Sequence, residues 1–151
     1  MADDALELLK TWLSLRELSA QEIQKRYSIS EQHITRDTSY MRLTGLTRFR
    51  NWDAHPGQFY FRDGQFILFY VEDASDELQQ LTPQLLRDYL GEPGAVLQSR
   101  AGKDHNQYVY PDKGLAFSAN ARQVSYLEIF PPTSLEAYKS QFYFEPSAFI
   151  R

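Results

Sequence analysis

The chain has no cysteine among its 151 residues. That absence excludes a disulfide framework, thiolate metal sites, cysteine nucleophiles and a lipid-bearing N-terminal cysteine. No apolar run approaches the roughly 18 residues that a membrane-spanning helix needs. The first residues, Met1-Ala2-Asp3-Asp4, are acidic where a secretory leader would be basic. Together these absences predict a soluble, cytoplasmic protein with no membrane partner. Phosphate loops are missing as well: Gly91, Gly94 and Gly102 build neither Gly-x-x-x-x-Gly-Lys nor Gly-x-Gly-x-x-Gly, and no Gly-x-Ser-x-Gly occurs. These glycines read as caps and turns. No serine has a neighbouring base pattern, so no triad, catalytic residue, cofactor or metal is assigned, and the reading leans away from an enzyme. A net charge of −4 disfavours a general electrostatic grip on nucleic acid.

What the chain does have is aromatic residues, 10 Phe, 10 Tyr and 2 Trp, many of them in strand-like segments. A chain of this length fits one domain that buries roughly 70% of its unfolded surface, so a core without staples is expected. Leu6, Leu9 and Leu13, widened by Ala5, Leu8, Trp12 and Leu15, predict a helix over residues 4–16. Ser19-Ala20-Gln21-Glu22 has capping-box spacing, with Leu18 and Ile23 at staple positions, and predicts a second helix ending near residue 28. Thr82 as cap, Pro83 in the first turn, Leu81 and Leu86 as staple and Gly91 as stop predict a third.

The strands follow from alternation and turn residues. Residues 40–50 read as strand interrupted at Gly45. Residues 58–61, the turn Arg62-Asp63-Gly64 and residues 65–72 read as a hairpin. Residues 107–110, 115–119 and 123–130 read as a three-stranded meander that Pro131-Pro132 ends. A helical turn is expected at 134–140. The aromatic tail 141–150, with Phe142, Phe144 and Phe149, is expected to pack back on the domain or on a partner. The fold class is therefore α+β: N-terminal helices plus an antiparallel sheet built from two related helix-then-strands units, at about 18–72 and 81–130.

A helix ending in Leu90-Gly91-Glu92-Pro93, then a polar loop and three short strands, resembles one unit of the SmpA/OmlA and beta-lactamase-inhibitor-protein-like group. The tandem arrangement is similar to the inhibitor proteins, in which two such units form a saddle-shaped sheet. The resemblance implies a non-enzymatic sheet that grips another protein. It covers about two thirds of the chain, which has neither the disulfides of the secreted inhibitors nor the anchor cysteine of the envelope members. An NTF2-like cone enclosing a pocket also fits the order of elements.

Arg36, Arg42, Arg48 and Arg50 are interleaved with Tyr40, Phe49 and Trp52, with no acid between Thr38 and Asn51. This pattern suits a partner-binding strand face, an exposed face paired with the acids Glu72, Asp73, Asp76 and Glu77, or single-stranded nucleic acid. The leading expectation is a protein-binding module, an adaptor or assembly factor. Its candidate contacts are Arg42, Arg48, Arg50, Trp52, Tyr60, Tyr108, Tyr110 and Tyr126. Alternation puts Tyr108 and Tyr110 on one face and Val109 on the other, so the two tyrosines share one fate. The rival expectation is a small-molecule binder or enzyme with a pocket near His55 and His105, which Asp53 and Asp104 flank at apparently equivalent positions. The third is nucleic-acid binding through the 42–50 strand. The sequence names no partner and no oligomeric state.

Overall fold

The leucine stripe at the start of the chain forms α1 (Ala2–Ser14), which passes into a 3-10 turn over Leu15–Glu17. The structure, a computed structural model, describes residues 2–72 and 75–146. Arg16, in that turn, reaches across to the sheet. Its Nη1 donates to the carbonyls of Lys113 at 2.6 Å and Phe130 at 3.3 Å, while Nε donates to Leu13 at 2.9 Å. The capping box then starts α2 (Ala20–Arg26): Ser19 Oγ accepts from the Glu22 N–H at 3.2 Å, and Glu22 Oε1 accepts from the Ser19 N–H at 3.0 Å.

Four strands follow, β1 (Ile34–Tyr40), β2 (Leu43–Phe49), β3 (Gln58–Arg62) and β4 (Gln65–Glu72). The β3–β4 turn has positive φ at both Asp63 and Gly64, which matches the right-handed twist of the strands it joins. After α3 (Asp76–Gln79) and α4 (Pro83–Leu90) come β5 (Ala95–Gln98), β6 (Asn106–Tyr110), β7 (Leu115–Ala119) and β8 (Val124–Ile129), and then α5 (Leu135–Gln141). Thr82 Oγ1 caps α4 by accepting from the Leu85 N–H at 3.1 Å, and Gly91 ends it with φ +82°.

All eight strands form one antiparallel sheet in the order β1-β2-β3-β4-β8-β7-β6-β5. Each half is a helix pair followed by a four-strand meander, and the halves meet where β4 pairs β8. Each meander therefore has one strand more than expected. The extra ones carry little apolar signal: Thr35, Arg36, Asp37 and Ser39 of β1 are all exposed, with a left-handed Asp37 breaking the alternation, and β5 is a four-residue edge strand. The strand order also corrects the equivalence expected of Asp53/His55 and Asp104/His105. It relates β3 to β7 and β2 to β6, so the residues before β3 and those before β6 do not occupy equivalent positions.

The period of two sorts side chains onto two differently covered faces. On one face, Phe59, Phe61, Phe69, Phe117 and Leu127 meet Leu9, Trp12, Leu15, Ile23, Leu86 and Leu90 of the helices. Phe59 and Phe69 stack there at 4.3 Å. The second face carries Leu46, Tyr60, Leu68, Val109, Ala116 and Phe130 beneath Tyr138 of α5 and the tail residues Phe142 and Tyr143. The tail thus packs back as far as it is described, each buried aromatic contributing about 1.5–3 kcal/mol; Phe149 and Ile150 lie outside the described residues. A flat sheet would separate β1 from β8 by four spacings, roughly 19 Å. Yet the Tyr40 hydroxyl donates to the Glu128 carboxylate of β8, so the sheet curls and brings its β1 end over the second face. No helix among the described residues is long and apolar enough to cross a membrane.

Candidate functional site

Two polar regions lie on or beside the second face. The inner one surrounds Glu128, which is wholly buried. Its carboxylate accepts from the hydroxyls of Tyr40 and Tyr138, the latter at 2.5 Å, and from Gln107 Nε2 at 3.3 Å. Gln107 in turn accepts from the Tyr126 hydroxyl. Arg100, on the β5–β6 loop, donates to the Tyr40 hydroxyl at 3.1 Å and lies 4.2 Å from the Tyr126 ring centroid. Burial pushes the Glu128 carboxyl above its ordinary value, opposed by the Arg100 charge and by the hydroxyls of Tyr138 and Tyr40. Burial likewise pushes Tyr70 up to about 12. The donors on Glu128 come from β1, β6 and α5, so the carboxylate ties the curled sheet to its cover. With no solvent access it serves as a structural knot. A cavity of about 340 Å³ opens at the rim of this cluster beside Tyr70, Glu72, Arg100, Ser125 and Tyr126.

The outer region is the loop over residues 50–57, which joins β2 to β3. Buried Asn51 organises it: Nδ2 donates to the carbonyls of Tyr27 at 3.0 Å and Ser28 at 3.3 Å, while Oδ1 accepts from the Asp53 N–H at 3.2 Å. The Asn51 carbonyl accepts from the N–H groups of Ala54 and His55 at 3.0 and 3.1 Å. At the other end Gly57, with φ +81°, lies so close to the Tyr70 carbonyl that a Cβ would overlap it. A loop held at both ends presents Trp52, 53% exposed, with the Arg50 guanidinium 5.3 Å from its ring centroid.

Beside Trp52 lies a cavity of about 500 Å³, open to solvent and lined by Asp53, His55, Glu72, Asp76 and Glu77 among others. His55 is only 5% exposed, with its ring edge against Tyr27 and Phe59. Its Nδ1 lies 3.2 Å from the Pro56 carbonyl oxygen and its Nε2 has no partner. Desolvation lowers its pKa and so favours the neutral ring, opposed by the hydrogen bond to the Pro56 carbonyl, which favours the protonated one. The Nε–H groups of Arg48 and Arg50 are also buried without partners. Among the described residues neither arginine forms an ion pair with Glu72, Asp76 or Glu77.

The structure divides the eight residues that the sequence grouped as one contact face. Arg48, Tyr60 and Tyr126 share the second face, with Arg48 paired in register to Tyr60. Arg50 and Trp52 continue from its end. Arg42 sits at the β1–β2 turn, where Nε donates to the Tyr143 carbonyl at 3.2 Å and the guanidinium lies 4.4 Å from the Phe144 ring centroid. Tyr108 and Tyr110 share a face, as alternation requires, but it is the helix-covered one. Tyr110 is buried and donates to the Gly91 carbonyl at 2.9 Å, and Tyr108 stacks on Phe117 at 5.0 Å. Those two tyrosines therefore leave the contact face, because α4 and the strand β7 cover them. Tyr60 and Tyr126 face the right way but are 5% and 4% exposed, so on this side of the sheet the members of the set left exposed or half-exposed are the arginines and Trp52.

His55 and His105 do not converge. The cavity that His55 lines includes neither Asp104 nor His105, and His105 instead pairs with Asp104 at 2.9 Å. Among the described residues no group of three or more His, Asp or Glu side chains is placed to hold a metal ion. The sequence reading missed Asn51, Arg100, Gln107 and Glu128; Glu128 alone stands as a single polar residue in an apolar run, and the other three sit beside further polar residues, so nothing in the sequence sets them apart. Comparison of the chain with protein-family models, with curated proteins and with solved structures finds no match.

Proposed function

We propose that this chain is a non-enzymatic, cytoplasmic protein-binding module, an adaptor or assembly factor, that grips a segment of another protein at the Trp52 corner of its sheet. The observation that carries this reading is an exposed Trp52 on a loop fixed by Asn51 and Gly57. A large aromatic displayed in one fixed conformation loses little entropy on binding, and Trp and Arg dominate binding hot spots. Arg50 holds its guanidinium beside the Trp52 ring and, like Arg48, is half-exposed, so both place positive charge at this corner. The resemblance to tandem α/β binding proteins supports the same reading, with one difference. The middle of the second face is filled by α5 and residues 142–143, so the grip moves from the centre of the sheet to its end.

A second reading, a small-molecule site, draws on the cavity beside His55. Nucleic acid is disfavoured, since that cavity is acid-lined directly beside the arginines. The test is a photo-crosslinking amino acid placed at position 52 or, as control, at Tyr89, another exposed aromatic on α4. The expected result is a crosslinked protein specific to position 52, whose purified form binds Trp52→Ala about 30-fold more weakly, the factor for a hot spot of about 2 kcal/mol. Identical crosslinks from both positions, or an affinity unchanged by Trp52→Ala, would overturn the proposal.

A further inference from the structure

Arg100 stands at the rim of the buried polar cluster without an acid of its own. Among the described residues it forms no ion pair. Its link to Glu128 is indirect: Nη2 donates to the Tyr40 hydroxyl, and Tyr40 donates to the carboxylate, which also accepts from Tyr138 and Gln107. The rest of the guanidinium is unused. Nε and Nη1 have no hydrogen-bond partner in the protein, yet neither is closed off from solvent as the Nε atoms of Arg48 and Arg50 are. Arg100 lines the cavity of about 340 Å³ that it shares with Tyr70, Glu72 and Tyr126. The Tyr70 hydroxyl, beside Arg100, is likewise not closed off, and burial keeps it protonated and able to donate.

The loop holds Arg100 ready. Buried Ser99 Oγ accepts from the Ala101 N–H at 3.0 Å and bonds Ser118 Oγ at 2.5 Å, which pins the backbone around Arg100, and the guanidinium lies 4.2 Å from the Tyr126 ring centroid. The planar N–H fork of an arginine matches a carboxylate, and fixing it in advance cuts the entropy lost on binding. We propose that this cavity binds a carboxylate ligand, with its oxygens on the Arg100 guanidinium and the Tyr70 hydroxyl. A singly charged carboxylate fits better than a phosphate, because Glu72 on the cavity wall repels a dianion about twice as strongly. The site lies apart from the Trp52 loop, although Glu72 borders both cavities. A free organic acid and the C-terminal carboxylate of a peptide present the same group, and the test separates them.

The test follows the Arg100 Nε–H resonance by NMR at low salt. The probes are 3-phenylpropionate and its amide, acetyl-Ala-Ala-Phe and its amide, and phenyl phosphate. The two carboxylates are expected to shift the resonance saturably and the two amides to leave it unmoved. Binding of the acids and not the amides supports the proposal, and the tighter of the two acids names the source. Tyr70→Phe is expected to weaken binding about tenfold, the factor for one hydrogen bond to a charged group. Glu72→Gln, which relieves the repulsion, is expected to tighten it about fivefold, a gain that a purely structural role for Glu72 would not give. Arg100→Gln, checked for folding by circular dichroism, is expected to abolish it. A resonance unmoved by either acid, equal responses to acid and amide, phenyl phosphate binding more tightly than either acid, or an affinity that Glu72→Gln fails to raise would overturn the proposal.

Discussion

Gly57 and Gly64 share a left-handed φ of +81° in very different surroundings. A Cβ added at Gly64 would meet nothing within 4 Å. One added at Gly57 would lie 3.2 Å from Phe69 Cε1, 3.1 Å from the Tyr70 carbonyl carbon and closer still to the Tyr70 carbonyl oxygen. Alanine at either position incurs the left-handed penalty of an L residue, about 1–2 kcal/mol. Alanine at Gly57 must also displace strand β4 backbone, which adds about 1–3 kcal/mol as overpacking does elsewhere. Gly64→Ala is therefore expected to cost about 1–2 kcal/mol and Gly57→Ala about 2–5 kcal/mol. Urea denaturation followed by circular dichroism measures both, with unchanged m-values as the check that the transition is the same. For a domain of this size each kcal/mol corresponds to a shift of about 2–4 °C in Tm. The displacement at Gly57 is also expected to move the loop that carries Trp52, so the crosslink at position 52 weakens in that variant and not in Gly64→Ala. Equal destabilisation by the two substitutions would refute the claim that the loop is clamped against β4.

Asn51→Ala leaves the part-buried carbonyls of Tyr27 and Ser28 and the Asp53 N–H without their side-chain partner and is expected to cost about 1–3 kcal/mol, read as a lower urea midpoint. A midpoint equal to wild type would show that Asn51 does not hold the loop. Glu128 has a folded-state pKa above its unfolded one, so the folded state binds its proton more tightly. That contribution is complete below the unfolded value and lost as pH rises through the folded one; the wild type should lose stability relative to Glu128→Gln as pH is raised from 4.5, the ordinary carboxyl value, toward neutrality. His55 works in the other direction: its lowered pKa means that the unfolded chain takes up the proton first, and stability falls as pH drops below its ordinary 6.5. Parallel pH profiles for wild type and His55→Gln below that value would contradict it. Thr82→Ala removes the cap of α4 and should cost about 0.5–2 kcal/mol by thermal melting, with no effect on partner capture.

The sequence by itself determined the local elements whose signals are local. Ser19-x-x-Glu22 and Thr82-Pro83 place helix starts because a cap bonds to backbone two or three residues away, and Asp63-Gly64 places a hairpin because both residues tolerate positive φ. Alternation around Val109 separated it from Tyr108 and Tyr110 for the same reason. Which face was which could not be read that way. Tyr110 and Tyr126 are alike in sequence, yet one lies on the helix side and the other beside the buried carboxylate, because strand order and the placement of α4 and α5 set what covers each face. The edge strands β1 and β5 were silent in the sequence, since half-paired, exposed strands need no apolar alternation. The Trp52 corner was legible in part: the residues were named, but the clamp was not, because Asn51 bonds to a helix end more than twenty residues earlier and Gly57 abuts a strand that follows it. Only the fold brings such pairs within a few ångströms, and hydrogen bonds and steric exclusion act only over that distance.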